Sequence, residues 1–472
     1  MNIGRSIINV AVSRFGSALI SFVGITVFAR QLSPSDMGIF FLFQASLGVI
    51  SLPADFGLGD ALEKRISEGE NAADVLATAI LLKLLFASVI SGVLLLFREQ
   101  INGYIGADLT LFLVLGVYAQ EAARLATHTL HGELRVSEAE LLQVLRRLVW
   151  FVFGGILVVL EWGAEGLVYA WVSGSVLVAI LGLLRRSTEI GTPKSALRNS
   201  LLDFSKYSFV TSAGSYVYSW MDVLVIGFFL SQSHVGTYEV AWRIALAAAV
   251  FNKAVATTVY PQMSEWDAND STRKIEELVE DMFLPSLAVA IPAFLGGVIL
   301  SQEILRYLFG PEYGSGWIVL IVLMFSTLVG AVHMPYGRIL PAMDRPDLDA
   351  KSSIFAALIN MVLNVALVWY FGIIGAAVAT AVARLCSAIL ELYYVRRFID
   401  LSVPWNEIGR SLVAALLMTG VLLGMKRMIQ IDSLGILIGM ILVSIVSYAL
   451  LLVVQPGVRL KLLNLFGSQA SR

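Results

Sequence analysis

"LSPSDMGIF" occupies residues 32–40, between two apolar runs, and has a near copy in "LSQSHVGTY" at 230–238, 198 residues later. Its Pro, Ser, Asp and Gly suit a turn between antiparallel neighbours rather than a continued helix. A second pair behaves the same way. "WGAEGLVYA" at 162–170 is echoed by "FGIIGAAVA" at 371–379, 209 residues on. The first pair joins the first two apolar runs of each half, and the second pair joins the last two. Two six-helix halves, entered from the same side, satisfy both spacings. Such parallel repeats suit alternating access to a site near the membrane midplane.

The runs between these turns decide the class. Of 472 residues, 58% are hydrophobic and 14% charged, against about 45–50% and about 25% in an ordinary soluble domain. A span needs about 20 mostly apolar residues to cross the hydrocarbon. Fourteen segments qualify: 7–29, 37–56, 76–97, 110–131, 138–160, 164–184, 207–230, 236–260, 282–304, 315–339, 349–371, 373–397, 406–426 and 432–455. They should be helices, because lipid offers no partner for open backbone groups. The expected fold is an all-α integral membrane bundle of about 14 transmembrane helices. Its expected divisions are an N-terminal six-helix lobe at 1–184, a linker at 185–206, a second six-helix lobe at 207–400, and two more helices with a tail at 401–472.

Lys and Arg crowd alternate connectors, the basic segment 185–206 above all. The positive-inside rule then puts both termini in the cytoplasm. No secretory leader pattern precedes the first span, which reads as retained. The lone cysteine, Cys386, excludes an intramolecular disulfide. A net charge of −2 gives no global attraction to nucleic acid.

Several stretches carry a resemblance. "LSPSDMG", "DVLVIGFFLSQSHVGTY", "VYPQMSE", "LFGPEYGSGWIVL" and "LINMVLNVALVWYFGIIGAAVATAVAR", in this order and spacing over about residues 1–400, are similar to polysaccharide transporters of the Wzx type. These belong to the multidrug/oligosaccharidyl-lipid/polysaccharide exporter superfamily. The resemblance implies a V-shaped pair of six-helix lobes around a central cavity. It also implies a flippase that carries a polyprenyl-diphosphate-linked oligosaccharide, such as an O-antigen repeat unit, from the cytoplasmic to the outer leaflet.

Charges inside spans are costly and mark candidate sites. Arg14 and Lys253 each lie seven residues from the inner end of their span, and Arg243 seven from the outer end. Basic residues on the corresponding helices of the related lipid II flippases make these three, with Arg146 and Trp220, candidate contacts for a diphosphate and its sugar. Arg forks onto phosphate oxygens and Lys acts as a point charge. The plainer readings are snorkelling for Arg14 and Lys253, and an Arg243–Glu239 pair one turn apart. Lys83 reads as solitary and able to snorkel, and Glu121–Arg124 as a structural ion pair. Tyr216, Trp220 and Trp242 fit sugar stacking or, more plainly, packing and interfacial belts.

Asp222 stands in the apolar run "YSWMDVLVIGFF" at 218–229. By depth it shares a level with Asn364 and Thr380, and Asn360 lies one turn from Asn364. The resemblance to lipid II flippases implies that Asp222, Asn360, Asn364 and Thr380 form a sodium site, with Asn364 replacing a carboxylate. Three readings stand at this point: bound sodium, an internal pair with Arg384, or a protonatable Asp222. The coupling ion is accordingly sodium or proton, with no other cofactor expected. His128, His131, His234 and His333 show no metal-ligand spacing, and no phosphate-cradling glycine loop suggests ATP drive.

The expected protein is therefore a transporter and not an enzyme, multi-pass in the cytoplasmic (inner) membrane. It is expected to act as a monomer on a lipid-linked oligosaccharide among membrane lipids, with a polysaccharide polymerase as a candidate partner. Rival classes are a cation-coupled multidrug exporter of the same superfamily and a membrane enzyme of polysaccharide assembly. The longest connector, 185–206, contains neither His nor Cys, which disfavours the enzyme.

Overall fold

The computed structural model describes residues 3–69, 71–268 and 272–453, and among them there is no strand. In chain order the helices are α1 (Ile3–Gln31), α2 (Pro34–Asp55), α3 (Leu58–Glu68), α4 (Ala72–Leu96), α5 (Arg98–Ile105), α6 (Thr110–Gly132), α7 (Val136–Val159) and α8 (Gly163–Arg185). There follow α9 (Ser195–Phe229), α10 (Gln232–Ala268), α11 (Thr272–Leu308), α12 (Trp317–His333), α13 (Ile339–Ala342), α14 (Pro346–Val395), α15 (Trp405–Met428) and α16 (Leu434–Val453). The chain is an all-α integral membrane protein. Ten of the described helices are long and apolar enough to cross a bilayer, or eleven if the bent pair α5 and α6, 92° apart, makes one span.

That number is below the expected fourteen for local reasons. Helix α14 is 50 residues long but is broken at Gly372, whose φ of 59° and ψ of −142° lie outside any helix. Two contacts show that the chain reverses there. A Cβ on Gly375 would lie 2.0 Å from the carbonyl oxygen of Leu367, and the Asn360 amide reaches Thr380 at 3.3 Å. In one continuous helix, residues 360 and 380 would stand about 30 Å apart. α14 is thus a hairpin of two helices with glycine at its tip, where the left-handed φ excludes most side chains. The expected spans 207–230 and 236–260 fall in α9 and α10, both long enough to cross a bilayer, and the side chains of parts of both lie outside the described residues. The expected span 315–339 is corrected at its end: α12 stops at His333, and the turn that follows contains Pro335, which has no N–H to continue the ladder.

Contacts divide the chain into two compact units, Met1–Gly236 and Thr237–Arg472. In the first, α8 packs on α6 and α7, α1 on α7, and α2 on α4, α6 and α9. Aromatic rings fill the α1–α2–α7–α8 seam. Trp150 stacks on Phe40 with centroids 5.6 Å apart and meets Phe28 edge-on at 5.1 Å. α9, whose first turns take in the second half of the basic segment 185–206, packs on α2, α3 and α4. In the second unit, α12 packs on α11 and α14, and α15 packs on α11 and α16.

The repeated turn also has a physical use. Ser33 caps α2 in a reciprocal box with Asp36, which satisfies two orphan donors at the helix start. At the equivalent place Ser231 bonds His234 at 2.8 Å. The glycines of the two copies let backbones touch within the first unit. A Cβ on Gly38 would sit 1.8 Å from the Gln232 carbonyl oxygen, and one on Gly236 would sit 2.0 Å from that of Pro34. Each copy is thus seated against the first residues of the helix that follows the other.

Candidate functional site

The first unit carries a chain of ionised groups in an apolar helical setting. Asp55 closes α2, Lys83 sits midway along α4, Glu121 and Arg124 lie one turn apart on α6, and Tyr216 projects from α9. Lys83 bonds Asp55 and, at 2.6 Å, Glu121 Oε2. Arg124 Nη1 donates to Glu121 Oε1 at 3.1 Å, and its Nη2 donates to Tyr216 Oη at 2.8 Å. Lys83 and Glu121 are only 4% and 3% exposed. A lone charge at that burial would be prohibitive, so the pairing is what permits it. The expectation of a solitary, snorkelling Lys83 is therefore corrected. Its partners lie 28 and 38 residues away, on other helices. Asp55 was not foreseen as part of this network; its only signal in the sequence is a carboxylate beside Pro53 at the end of an apolar run.

Positive charge continues on α7. The guanidinium of Arg146 lies 5.2 Å from the centroid of Trp171, and that of Arg147 lies 4.7 Å from it. Such stacking holds a cation without neutralising it. Arg146 Nε is buried with no hydrogen-bond partner. Counted with Arg146, the network holds three cations to two carboxylates, a surplus that suits an anion. Trp220 and Tyr216 both face Gly48 of α2: a Cβ there would be 3.2 Å from the tyrosine ring and 3.8 Å from the indole nitrogen. Both aromatics therefore pack on α2.

Two of the other candidate cations have their own partners. Arg14 binds Glu140 of α7 through Nε and Nη2, at 3.0 and 2.8 Å, with its side chain 69% exposed. Arg243 pairs with Glu239 at 2.7 Å, one turn away on α10. The side chain of Lys253 lies outside the described residues.

In the second unit the α14 hairpin gathers three of the four residues expected to hold sodium. Asn364 Nδ2 donates to Asn360 Oδ1 at 3.2 Å, and Asn360 Nδ2 donates to Thr380 Oγ1 at 3.3 Å. All three are buried. This ladder of amides and a hydroxyl carries oxygen donors of the kind hard cations take. The fourth residue, Asp222, is half-buried on α9 of the first unit. Arg384 turns towards α12, where its Nη1 reaches the Ser326 carbonyl at 3.4 Å. A further pair went unread in the sequence: His333 Nε2 lies 2.6 Å from Glu391, which is 2% exposed. Fifty-eight residues separate the two, so no short motif announces them.

Comparison with known proteins bears on this arrangement. A family model described as "Polysaccharide biosynthesis protein" matches residues 27–317. The "Probable low-salt glycan biosynthesis flippase Agl15" of Haloferax volcanii is 41% identical over 452 residues, spanning 95% of this chain and 96% of that one. The "Probable flippase AglR" of the same organism is 29% identical over 409 residues, 84% of each chain. Among solved structures, the lipid II flippase MurJ in an inward closed conformation superposes with a TM-score of 0.79. It covers 95% of this chain and 98% of its own at 17% identity, and so shares the fold. An inward-facing MATE multidrug transporter follows at 0.66. The chain belongs to the polysaccharide biosynthesis protein family.

Proposed function

We propose that this protein is a flippase that moves a polyprenyl-diphosphate-linked oligosaccharide from the cytoplasmic to the outer leaflet by alternating access. The observation that carries the reading is the 41% identity, end to end, with a chain named as a glycan biosynthesis flippase. The chemistry of the first unit supports it. The surplus cation Arg146, held against Trp171, offers a diphosphate the planar donors that a phosphate oxygen pair accepts. The Asp55–Lys83–Glu121–Arg124 chain fixes the charges beside it. The isoprenoid tail stays in lipid, so only the polar head needs a charged path.

The protein sits in the cytoplasmic membrane with both termini inside, acts as a monomer, and hands its product to a polysaccharide polymerase. Transport is driven by sodium or protons through Asp222, Asn360, Asn364 and Thr380. The Asn360–Asn364–Thr380 ladder supports an oxygen-lined cation seat.

The test is flipping of a fluorescent polyprenyl-diphosphate oligosaccharide in proteoliposomes. Arg146→Gln lowers the rate at least tenfold, which corresponds to about 1.4 kcal/mol of lost substrate or transition-state interaction. Asp222→Asn removes the response to an imposed sodium or proton gradient but leaves headgroup binding intact. Unaltered rates in both variants would refute these roles.

A further inference from the structure

We infer that Glu63, His128 and His131 form a binding site for a zinc-class divalent cation at the junction of α3 and α6. This goes beyond the flippase reading and does not depend on it.

Helix α3 is short and two-sided. It buries Leu58, Ala61, Leu62 and Ile66 against the bundle, which leaves Asp60 and Glu63 on its polar side. Helix α6 brings His128 and His131 to one face of its last turns, three residues apart. Gly59 allows the helices to close up: a Cβ there would meet the His128 ring at 2.8 Å.

The result is convergent. Glu63 Oε2 lies 3.0 Å from His128 Nδ1 and 3.3 Å from His131 Nδ1. One ligand atom from each of the three residues lies within 4.8 Å of the other two. Tetrahedral zinc, with bonds of about 2.0–2.1 Å, sets its ligand atoms about 3.3 Å apart. Two of the three edges are thus already at the required length. Two imidazoles and one carboxylate make a borderline N,N,O donor set, which selects zinc, cobalt or nickel over magnesium and calcium. The fourth position has a candidate: Asp60 Oδ1 is 4.0 Å from His128 Nδ1. All three side chains are partly exposed, at 24%, 26% and 40%, so an ion can enter from water.

A bound ion would replace two weak hydrogen bonds with coordinate bonds between α3 and α6, stapling the short amphipathic helix to a spanning one. The sequence hid this because Glu63 lies 65 residues before His128.

The experiment uses the full-length protein in detergent, with any polyhistidine tag removed and metal stripped by a chelator. Zinc is then titrated against a chromophoric competitor. One equivalent binds to the wild type, and the melting temperature rises with added zinc. Glu63→Gln weakens binding at least tenfold, and His128→Asn with His131→Asn abolishes it. Magnesium at the same concentration neither binds nor raises the melting temperature. Cobalt loaded into the wild type gives the visible bands of a tetrahedral ion, a readout that needs no variant to fold. Zinc uptake by the wild type no greater than by the double variant would overturn the site, as would equal binding of magnesium or a cobalt spectrum of octahedral type.

Discussion

The α2–α4–α6 network of the first unit and the α14 hairpin of the second hold polar groups within an apolar bundle by opposite means. The first unit uses full charges. Lys83 and Glu121 are almost wholly buried, and each is tolerable only because its counter-charge stands within hydrogen-bond reach. The second unit uses neutral groups at the α14 hairpin, where Asn360, Asn364 and Thr380 donate and accept in sequence. Charges hold a fixed field but cost heavily if one is removed. Amides cost less and leave room for an arriving cation to supply the charge.

Four substitutions test that contrast, and a change of pH tests a charged group outside it. The largest effect belongs to Lys83→Met, which leaves Asp55 and Glu121 without their shared cation and costs about 3–5 kcal/mol. Thermal and denaturant unfolding in detergent measures it. Adding Glu121→Gln recovers part of that loss, and the double-mutant cycle reports a coupling of about 0.5–3 kcal/mol. A cycle with no coupling breaks the claim that the network is electrostatic. Asn360→Leu in the second unit costs less, about 1–3 kcal/mol, because it leaves neutral partners unsatisfied rather than ions. Should it cost as much as Lys83→Met, the two units do not differ as described.

Asn364→Asp sharpens the contrast from the other side. It adds a carboxylate to the neutral ladder, and sodium affinity rises about tenfold, or about 1.4 kcal/mol, read as a sodium-dependent rise in melting temperature. No sodium response in this variant makes the ladder a purely structural feature.

The smallest effect lies outside the hydrocarbon. Glu133 accepts from the backbone N–H groups of Ser187 and Thr188 at 2.8 and 2.7 Å. Burial pushes its carboxyl up, but these donors and Arg135 outweigh that and hold it below the usual glutamate range. A depressed carboxylate stabilises the fold above its unfolded value of about 4.3 and loses that contribution as pH falls through the folded value. Hydrogen exchange at Ser187 and Thr188, corrected for intrinsic rates, therefore loses protection in acid below about pH 4.3. Protection that holds unchanged in acid shows that the loop does not rest on Glu133.

Much of the architecture could be read from residues alone, and the reason is the solvent. Lipid forces each span to satisfy its own backbone, so every span is a local property, visible as a run of apolar residues. Turns are equally local, and so the repeat of "LSPSDMG" in "LSQSHVG" is legible without coordinates. The four-residue spacing of Asn360 and Asn364 likewise survives into the structure, because one helix carries both.

Ion pairs within one helix, Glu121–Arg124 and Glu239–Arg243, are local too, but partners on different helices obey no such rule. A charge is satisfied by whatever lies within a few ångströms, and that is set by packing between helices. Nothing in the neighbourhood of Lys83 names Asp55 or Glu121, nothing near Arg14 names Glu140, and nothing near His128 names Glu63. Sequence alone determined that the chain crosses the membrane as a series of helices, since the cost of an open peptide group in lipid is felt residue by residue. Only the tertiary structure decided which buried charges meet across helices, since Coulomb attraction depends on separation in space and not on separation along the chain.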